Sequence, residues 1–511
     1  MSEPRTVVVL AAGEGKRMRS ALPKVLHPLL GRTLLGHVLN TVEPLGAQRQ
    51  LVVVGHGAEQ VTAYLAEIAP HAEPVLQAEQ RGTGHAVRTA LDAAPDVTGT
   101  VIVVNGDTPM LRSATLTAML DAHERLGAIA TVLTARVDDA SGLGRIVRDD
   151  EGRVAGIVEH RDATAEQLAI NEVNTGVFAF DAAALRDALG KLTAGNDQGE
   201  EYLTDVLDLL VSTGRPVAAH TVSDPEEGLG ANDRAQLAAL AARLRDRINT
   251  ELMRSGVTML DPATTWIDVT VRVEPDATIE PNTQLRGATS VAAGAVVGPD
   301  TTLKNVVVGG GAQVIRTHGS DSVIGAGASV GPFAYLRPET ELADSGKIGT
   351  FVETKNARIG EGSKVPHLSY VGDATIGRGV NIGAATIFVN YDGMHKHHTT
   401  VEDGVFVGCD TTLVAPVTVR AGAYIAAGSS ISEEVPSGSL GIARARQRNI
   451  EGWVERKRPG TKAAKAAAAA ADERAAELAA ASMATADLAM DTPAGEAIAT
   501  TELAERDGSE H

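Results

Sequence analysis

Three separated groups of residues have types and spacings that could do chemistry. The first is "VVVLAAGEGKRM", where a Val-rich run ends in Leu10, Ala11, Ala12 and Gly13, with Gly15 just beyond. Side chains this small let backbone N–H groups approach an anion closely, and a helix starting there would add a favourable dipole. Arg17 and Lys24 follow with positive charge that could neutralise a triphosphate. The spacing matches neither a P-loop nor a dinucleotide fingerprint, so the string alone also reads as a tight strand-to-helix turn without a ligand. The second is Asp107, which closes "GTVIVVNGD". It is either a strand-end cap or a carboxylate placed to hold a divalent cation. The third is "KVPHLSYVGDA", Lys364 to Ala374, in which His367 could serve as a general base near neutral pH. A lone histidine there also reads as an exposed residue on a structural repeat.

These residues need elements to position them. "TVVVLAAG", "QLVVVGHG" and "GTVIVVNGD" are continuous apolar runs separated by mixed-polarity stretches of helical length. Continuous runs suit strands buried on both faces, so residues 1–230 read as an α/β domain with a mostly parallel, Rossmann-like sheet. Ligands bind beyond the carboxyl ends of such strands, where the glycines lie. Residues 231–255 change period. Leu237, Leu240, Leu244, Ile248 and Leu252 line one face of a connecting helix.

From about residue 263 the period becomes six, and residues 256–457 read as a hexapeptide-repeat domain. Val273, Ile279, Leu285, Val291, Val297 and Leu303 are in step, and a later train runs Val401, Val407, Leu413, Val419, Ile425, Ile431. This hexapeptide rhythm predicts a parallel β-helix with one inward aliphatic residue per six. The rhythm slips near 305–323 and breaks at 385–400, "ATIFVNYDGMHKHHTT". That excursion is rich in polar residues for an idle loop. Its three histidines, His395, His397 and His398, invite a zinc reading, but a solvated basic loop is expected. Residues 458–511 are Ala-rich with few large apolar side chains, so a disordered tail is expected.

Composition excludes some classes. A net charge of −19 argues against a nucleic-acid partner. The single cysteine, Cys409, rules out an intrachain disulfide and points to a reducing compartment. The N-terminal apolar run is short for a secretory signal, and no stretch approaches the ~20 apolar residues of a membrane span. The chain reads as cytoplasmic, with no membrane partner.

The opening string has the form L-x-x-G-x-G-x-R-M…P-K and resembles the signature of sugar-1-phosphate nucleotidyltransferases. "LQAEQRGTGHA", "NGD", "GLGRIV", "GIVEHRDAT", "NEVNTGVF" and "GANDR" match further segments in order. With the later motifs "GPFAYLRP", "FVETKNARIG", "KVPHLSYVGDATIG", "FVNYDG" and "IAAGSSI", residues 5–457 resemble the family of bifunctional N-acetylglucosamine-1-phosphate uridyltransferases/glucosamine-1-phosphate acetyltransferases. The resemblance implies that residues 256–457 form a left-handed β-helix acetyltransferase domain, and it implies a homotrimer with acetyl transfer between adjacent chains. It implies UTP contacts at Leu10, Ala11, Ala12, Gly13, Arg17, Lys24, Gln77, Gly82 and Thr83. UDP-sugar or N-acetylglucosamine-1-phosphate contacts would be Gly144, Glu159, Asn174 and Asn232, with Mg²⁺ held by Asp107 and Asn232. It makes His367 the acetyl-transfer base and assigns glucosamine-1-phosphate to Arg337, Lys355, Tyr370, Asn381 and Lys396. Acetyl-CoA, the acetyl donor, would meet Ala384, Asn390, Tyr391, Cys409, Ala427 and Arg444.

Four positions depart from the family pattern. Leu143 and Asn105 stand where tyrosine is usual, Cys409 where serine is usual, and Val365–Pro366 replace a small Ala-Gly pair.

Overall fold

The structure of the chain is a computed structural model that describes residues 3–193 and 199–490. The chain divides into two compact units, the second beginning at Arg444.

The Val-rich runs are strands, as their continuous burial requires. Arg5–Ala11 pairs in parallel with Arg49–Val54 on one side and Thr100–Asn105 on the other. Val7 and Val9 pack into one core and Val8 into another, so both faces of this strand are covered by helices. Across the sheet the order is Val217–Thr221, Ala130–Arg136, Glu172–Asp181, Thr100–Asn105, Arg5–Ala11, Arg49–Val54, Glu73–Leu76. Glu172–Asp181 alone on this path runs antiparallel to both neighbours, and its pairing with Ala130–Arg136 bulges between Asn174 and Phe178. A bulge re-aims side chains at a strand end. Here it leaves Asn174 and Gly176 beside Asn105.

A hairpin of Pro28–Leu29 and Arg32–Thr33 follows the first loop. The helix Arg234–Arg254 is capped by Asp233, whose carboxylate accepts the Gln236 N–H at 2.8 Å. It is more than a connector. Leu240 and Leu244 are buried against Leu29, Leu34, Met110 and Ala231. Asn249, fully buried, donates to the carbonyls of Pro262 and Thr265 at 2.9 Å each, fastening the helix to the first coil.

The hexads form a parallel β-helix. Ile279 pairs with Val297, Leu285 with Leu303 and Val407 with Ile425, each one 18-residue coil apart. Their side chains form one continuous core from Val257 to Val435. Each fully buried Val, Leu or Ile contributes roughly 1.5–3 kcal/mol. The slip near 305–323 is a tightening: Leu303 pairs with Gly319 and Val308 with Ile324, only 16 residues on. The break at 385–400 is an insertion. Ile382 pairs with Val407 and Phe388 with Leu413, 25 residues on. Corners are turned by residues in the left-handed region, among them Asn282, Asp300, Asn305, Asp321, Asn356 and Asp373. Successive ones bond to each other, as Asn305 does to Asp321 and Asn356 to Asp373. Asn and Asp tolerate that conformation better than other L-residues.

Two expectations need correction at the C-terminal end. The last paired strand is Leu440–Gly441, so the coil ends well before residue 457. Beyond it residues 442–450 are exposed and form no further strand. The expected disordered tail contains a helix, Lys462–Met490. Alanine has the highest helix propensity, so this segment forms a helix without burying a face. Residues 491–511 lie outside the described residues.

Candidate functional site

Two constellations stand out. At the carboxyl ends of the parallel strands, the first loop does not continue into a long helix. Its only helical part is the single 3-10 turn Lys16–Met18, so backbone amides and side chains, not a helix dipole, must meet an anion there. Gly15 has a φ of +63°, and a Cβ on it would lie 2.7 Å from the Lys24 Cβ. The glycine lets the loop fold down onto Lys24. The Lys24 ammonium pairs with the Asp107 carboxylate and donates to the Asn232 side-chain oxygen at 2.7 Å. Three residues spread over more than 200 positions thus converge on one cation. Gly230 permits this approach, since a Cβ there would sit 3.0 Å from the Asp107 carbonyl oxygen.

Around this point the strand ends are tied together. The Gly106 N–H donates to the Leu10 carbonyl at 2.9 Å, and Gln80 donates to the Ala12 carbonyl at 2.7 Å. Gly13 and Arg17 are exposed at the mouth. Gln77 is buried and donates to the Gly82 carbonyl at 3.2 Å, while Thr83 accepts the Leu203 N–H at 3.0 Å. The Asn174 N–H donates to the Gly144 carbonyl at 2.9 Å. The Glu159 carboxylate lies 3.4 Å from where a Gly144 Cβ would be and accepts from Thr204 at 3.2 Å. Burial pushes the Glu159 carboxyl up, with the charges of Asp162 and Asp205 adding to it and the Thr204 hydroxyl opposing. Gln80 and Thr204 were not singled out by sequence reasoning. Gln80 lies within the quoted "LQAEQRGTGHA", but nothing in that string marks its reach to Ala12.

The second constellation lies on the β-helix. Glu353 pairs with Tyr370, and Lys355 with Gly372, on neighbouring coils. The Arg337 N–H donates to the Thr354 carbonyl, which sets Arg337 beside Lys355. Arg337 also pairs with Glu353 at 2.9 Å. Behind the cations sits Asp373, which sequence reasoning did not assign. Its carboxylate accepts from Asn356 at 2.8 Å and from Asn390 at 2.5 Å, and Asn390 reaches the Tyr370 hydroxyl at 3.3 Å. Burial raises the Asp373 carboxyl, but those hydrogen bonds and the charges of Lys355 and Lys396 outweigh it and hold the group below its ordinary range. The Lys396 ammonium is itself held low by adjacent Lys355, with Asp373 and Tyr370 opposing.

The excursion at 390–398 is a small hairpin, bridged by Tyr391 and Lys396 and by the His397 N–H to the Asn390 carbonyl at 2.8 Å. Asp392 pins its tip. It accepts from the His395 and Met394 amides and the His397 ring, and these bonds hold its carboxyl well below the usual range. His398 instead meets Thr375 at 2.9 Å.

His367 ends the strand Lys364–His367, one coil from Thr350 and two residues before the Ser369 hydroxyl that binds its carbonyl at 2.8 Å. Its imidazole is exposed. Asn381 pairs with Lys364 on the next coil. The Asp410 N–H donates to the Ala384 carbonyl, and the Gly428 N–H to the Cys409 carbonyl. Ala384, Cys409 and Ala427 therefore stack in one column of small side chains. Arg444 begins the second compact unit.

Two of the departures have structural reasons. Asn105 packs over Gly176, where any Cβ would lie 2.1 Å from its amide nitrogen. Val365 is the fully buried hexad residue, and the Pro366 carbonyl closes onto Gly349, whose Cβ it would meet at 1.9 Å. Leu143 is partly exposed, and its carbonyl accepts from Arg145. Cys409 is an exposed free thiol.

Residues 7–204 match the family of MobA-like NTP transferase domains. The chain is 58% identical to the bifunctional protein GlmU of Streptomyces avermitilis, over 91% of this chain and 97% of that protein. It is 58% identical to that of Kineococcus radiotolerans, over 92% and 96%, and 55% identical to that of Corynebacterium glutamicum, over 91% and 96%. With a nucleotidyltransferase domain, a parallel β-helix and near full-length identity of this order, the chain belongs to the GlmU family of bifunctional enzymes, the uridylyltransferases and acetyltransferases of UDP-N-acetylglucosamine synthesis.

Proposed function

We propose that the Lys24–Asp107–Asn232 convergence is the uridylyl-transfer centre and that the His367 face of the β-helix is the acetyl-transfer centre. The observation that carries this reading is the meeting of Asp107 and Asn232 oxygens on one ammonium. A carboxylate and an amide oxygen around a cation are a donor set that fits Mg²⁺, with substrate phosphates completing the shell. When bound there, Mg²⁺ supplies charge neutralisation for the triphosphate. Lys24 then turns to the phosphates, joined by Arg17 at the mouth. Backbone amides of residues 10–13 hold UTP, with Gln77, Gly82 and Thr83 around the base. Gly144, Glu159 and Asn174 orient N-acetylglucosamine-1-phosphate. Its phosphate oxygen attacks the α-phosphorus, and the bond to the β-phosphate breaks to release pyrophosphate. No covalent nucleophile is required, because positioning and charge neutralisation do the work.

At the other centre, Arg337 and Lys355 suit the dianionic phosphate of glucosamine-1-phosphate, with Tyr370, Asn381 and Lys396 on the sugar. The amine attacks the acetyl carbonyl of acetyl-CoA, the C–S bond breaks, and His367 takes the amine proton. The Ala384 N–H faces the thioester oxygen, and Asn390, Tyr391, Cys409 and Ala427 meet coenzyme A. We place this site between copies of the chain in a homotrimer. Support comes from exposed stacked rings on the coil, Phe333 on Phe351 and Phe406 on Tyr424, with ring centroids 5.3 Å apart in each pair. Among the described residues no helix is long and apolar enough to cross a membrane, and one cysteine suits the reducing cytoplasm.

The test is a separation of activities in trimers confirmed by light scattering. His367→Ala should lose CoA release from glucosamine-1-phosphate and keep pyrophosphate release from N-acetylglucosamine-1-phosphate. Asp107→Ala should do the reverse. Loss of both activities in either folded variant would refute the two-site assignment.

A further inference from the structure

A cleft of about 1100 Å³ lies where the nucleotidyltransferase half meets the first coils of the β-helix. None of the residues assigned above to either reaction lines it. One wall carries Arg32, Tyr64 and His71, and the opposite wall carries Trp266, Asp268 and Arg286. Arg32 is half-buried, among the described residues its guanidinium has neither a carboxylate nor a hydrogen-bond acceptor, and burial lowers it from the ordinary value. A desolvated cation without a partner is costly, and a bound anion would offset that cost. Arg286 is held toward the cleft by Gln284 at 2.5 Å. Tyr64 is fixed by the Thr33 hydroxyl at 2.8 Å, and its own hydroxyl fits only because position 36 is glycine. Trp266 has Arg245 over its ring at 4.8 Å, which sets the indole plane. The nearby acids are engaged: Asp268 accepts the Gly287 N–H at 2.8 Å, and Glu43 pairs with His71 at 3.1 Å.

We propose that this cleft is a regulatory site for a small molecule that joins an aromatic ring to a phosphate group. The two arginines, one from each half, suit a phosphate dianion. Trp266 and Tyr64 give the flat apolar surface on which an aromatic ring packs. The cavity is large enough for a mononucleotide, since typical ligand pockets run ~300–1,000 Å³. Its position explains how binding would be felt. The Arg32 hairpin starts two residues after the Lys24–Leu26 turn, and its Leu30 carbonyl accepts the Val269 N–H of the β-helix at 3.0 Å. Drawing Arg32 and Arg286 toward one ligand would shift the segment that carries Lys24.

AMP is a suitable probe, having an aromatic base and a phosphate dianion and being a substrate of neither reaction. The chain has two tryptophans, so Trp453→Phe leaves Trp266 as the sole reporter. Titration should give a saturable change in Trp266 fluorescence that neither UTP nor acetyl-CoA abolishes. Arg32→Gln and the more exposed Arg286→Gln should each weaken binding at least about tenfold, leaving both activities unchanged without AMP. Inorganic phosphate should compete weakly and adenosine hardly at all. The proposal is overturned by no saturable signal at millimolar AMP, by wild-type affinity in both arginine variants, or by one-for-one displacement with UTP or acetyl-CoA.

Discussion

Lys24 occupies the space between the two oxygens proposed to hold Mg²⁺, so it competes with the metal in the nucleotide-free protein. Lys24→Met removes the ammonium and keeps the side chain's bulk. The ammonium bonds a carboxylate and an amide oxygen, and the side chains of Lys24 and Asp107 are only 12% and 25% exposed. A hydrogen bond to a charged group in such a setting is worth about 1.5–3 kcal/mol net. An entering divalent ion must break that interaction in the wild type and need not in the variant. Affinity for Mn²⁺, a paramagnetic stand-in for Mg²⁺, should therefore rise by about 10- to 150-fold without nucleotide. Electron paramagnetic resonance of free Mn²⁺ in a titration reads this directly. Uridylyl transfer should collapse in the same variant, because the triphosphate loses its lysine, while acetyl transfer persists. Thermal stability should drop as Asp107 is left unpaired and recover with Mn²⁺. If apo Mn²⁺ affinity were unchanged or weaker in Lys24→Met, the idea that Lys24 stands in for the metal would fail.

Two further outcomes follow from the geometry. Asp373→Asn would set an amide against the donors of Asn356 and Asn390 and remove a charge from between Lys355 and Lys396. Loss of the charge-assisted bonds should lower kcat/KM for acetyl transfer by about tenfold or more, leaving uridylyl transfer intact; wild-type acetylation kinetics would count against an organising role for Asp373. The Glu159 carboxyl is raised above its ordinary value of 4.5. Between that value and the folded one, the native state binds more protons than the unfolded chain, so this group's contribution to stability is present at low pH and lost as pH rises through the window. Glu159→Gln removes the charged form, so its melting temperature relative to wild type should improve from pH 4 to pH 8. A gap that stays constant or shrinks over that range would contradict the assigned direction.

Much of the fold was legible because it rests on local periodicity. Continuous valine runs specify doubly covered strands, and an aliphatic residue every six positions specifies stacked coils, since each pattern places apolar groups on a buried face. The end of the β-helix and the helical tail were misread. Both lie where the hexad stops, and there the absence of a core pattern said nothing about backbone propensity. The phosphate loop was read with a helix dipole it lacks, because a short 3-10 turn and an α-helix begin alike in sequence.

By itself the sequence determined the two architectures, the connector helix, and the residue types of both proposed sites, including His367 on a rigid coil. Only the tertiary structure decided what meets what. Lys24, Asp107 and Asn232 are brought to one point by the parallel strand ends and two close glycine approaches, Gly15 and Gly230. Asp373 gathers Asn356, Asn390 and the lysines because the coil register here stacks residues 17 positions apart. Among the described residues the Arg32 side chain has no ion-pair partner, in a cleft lined by residues from both halves. Such encounters depend on chain closure over long separations, and no local spacing encodes them.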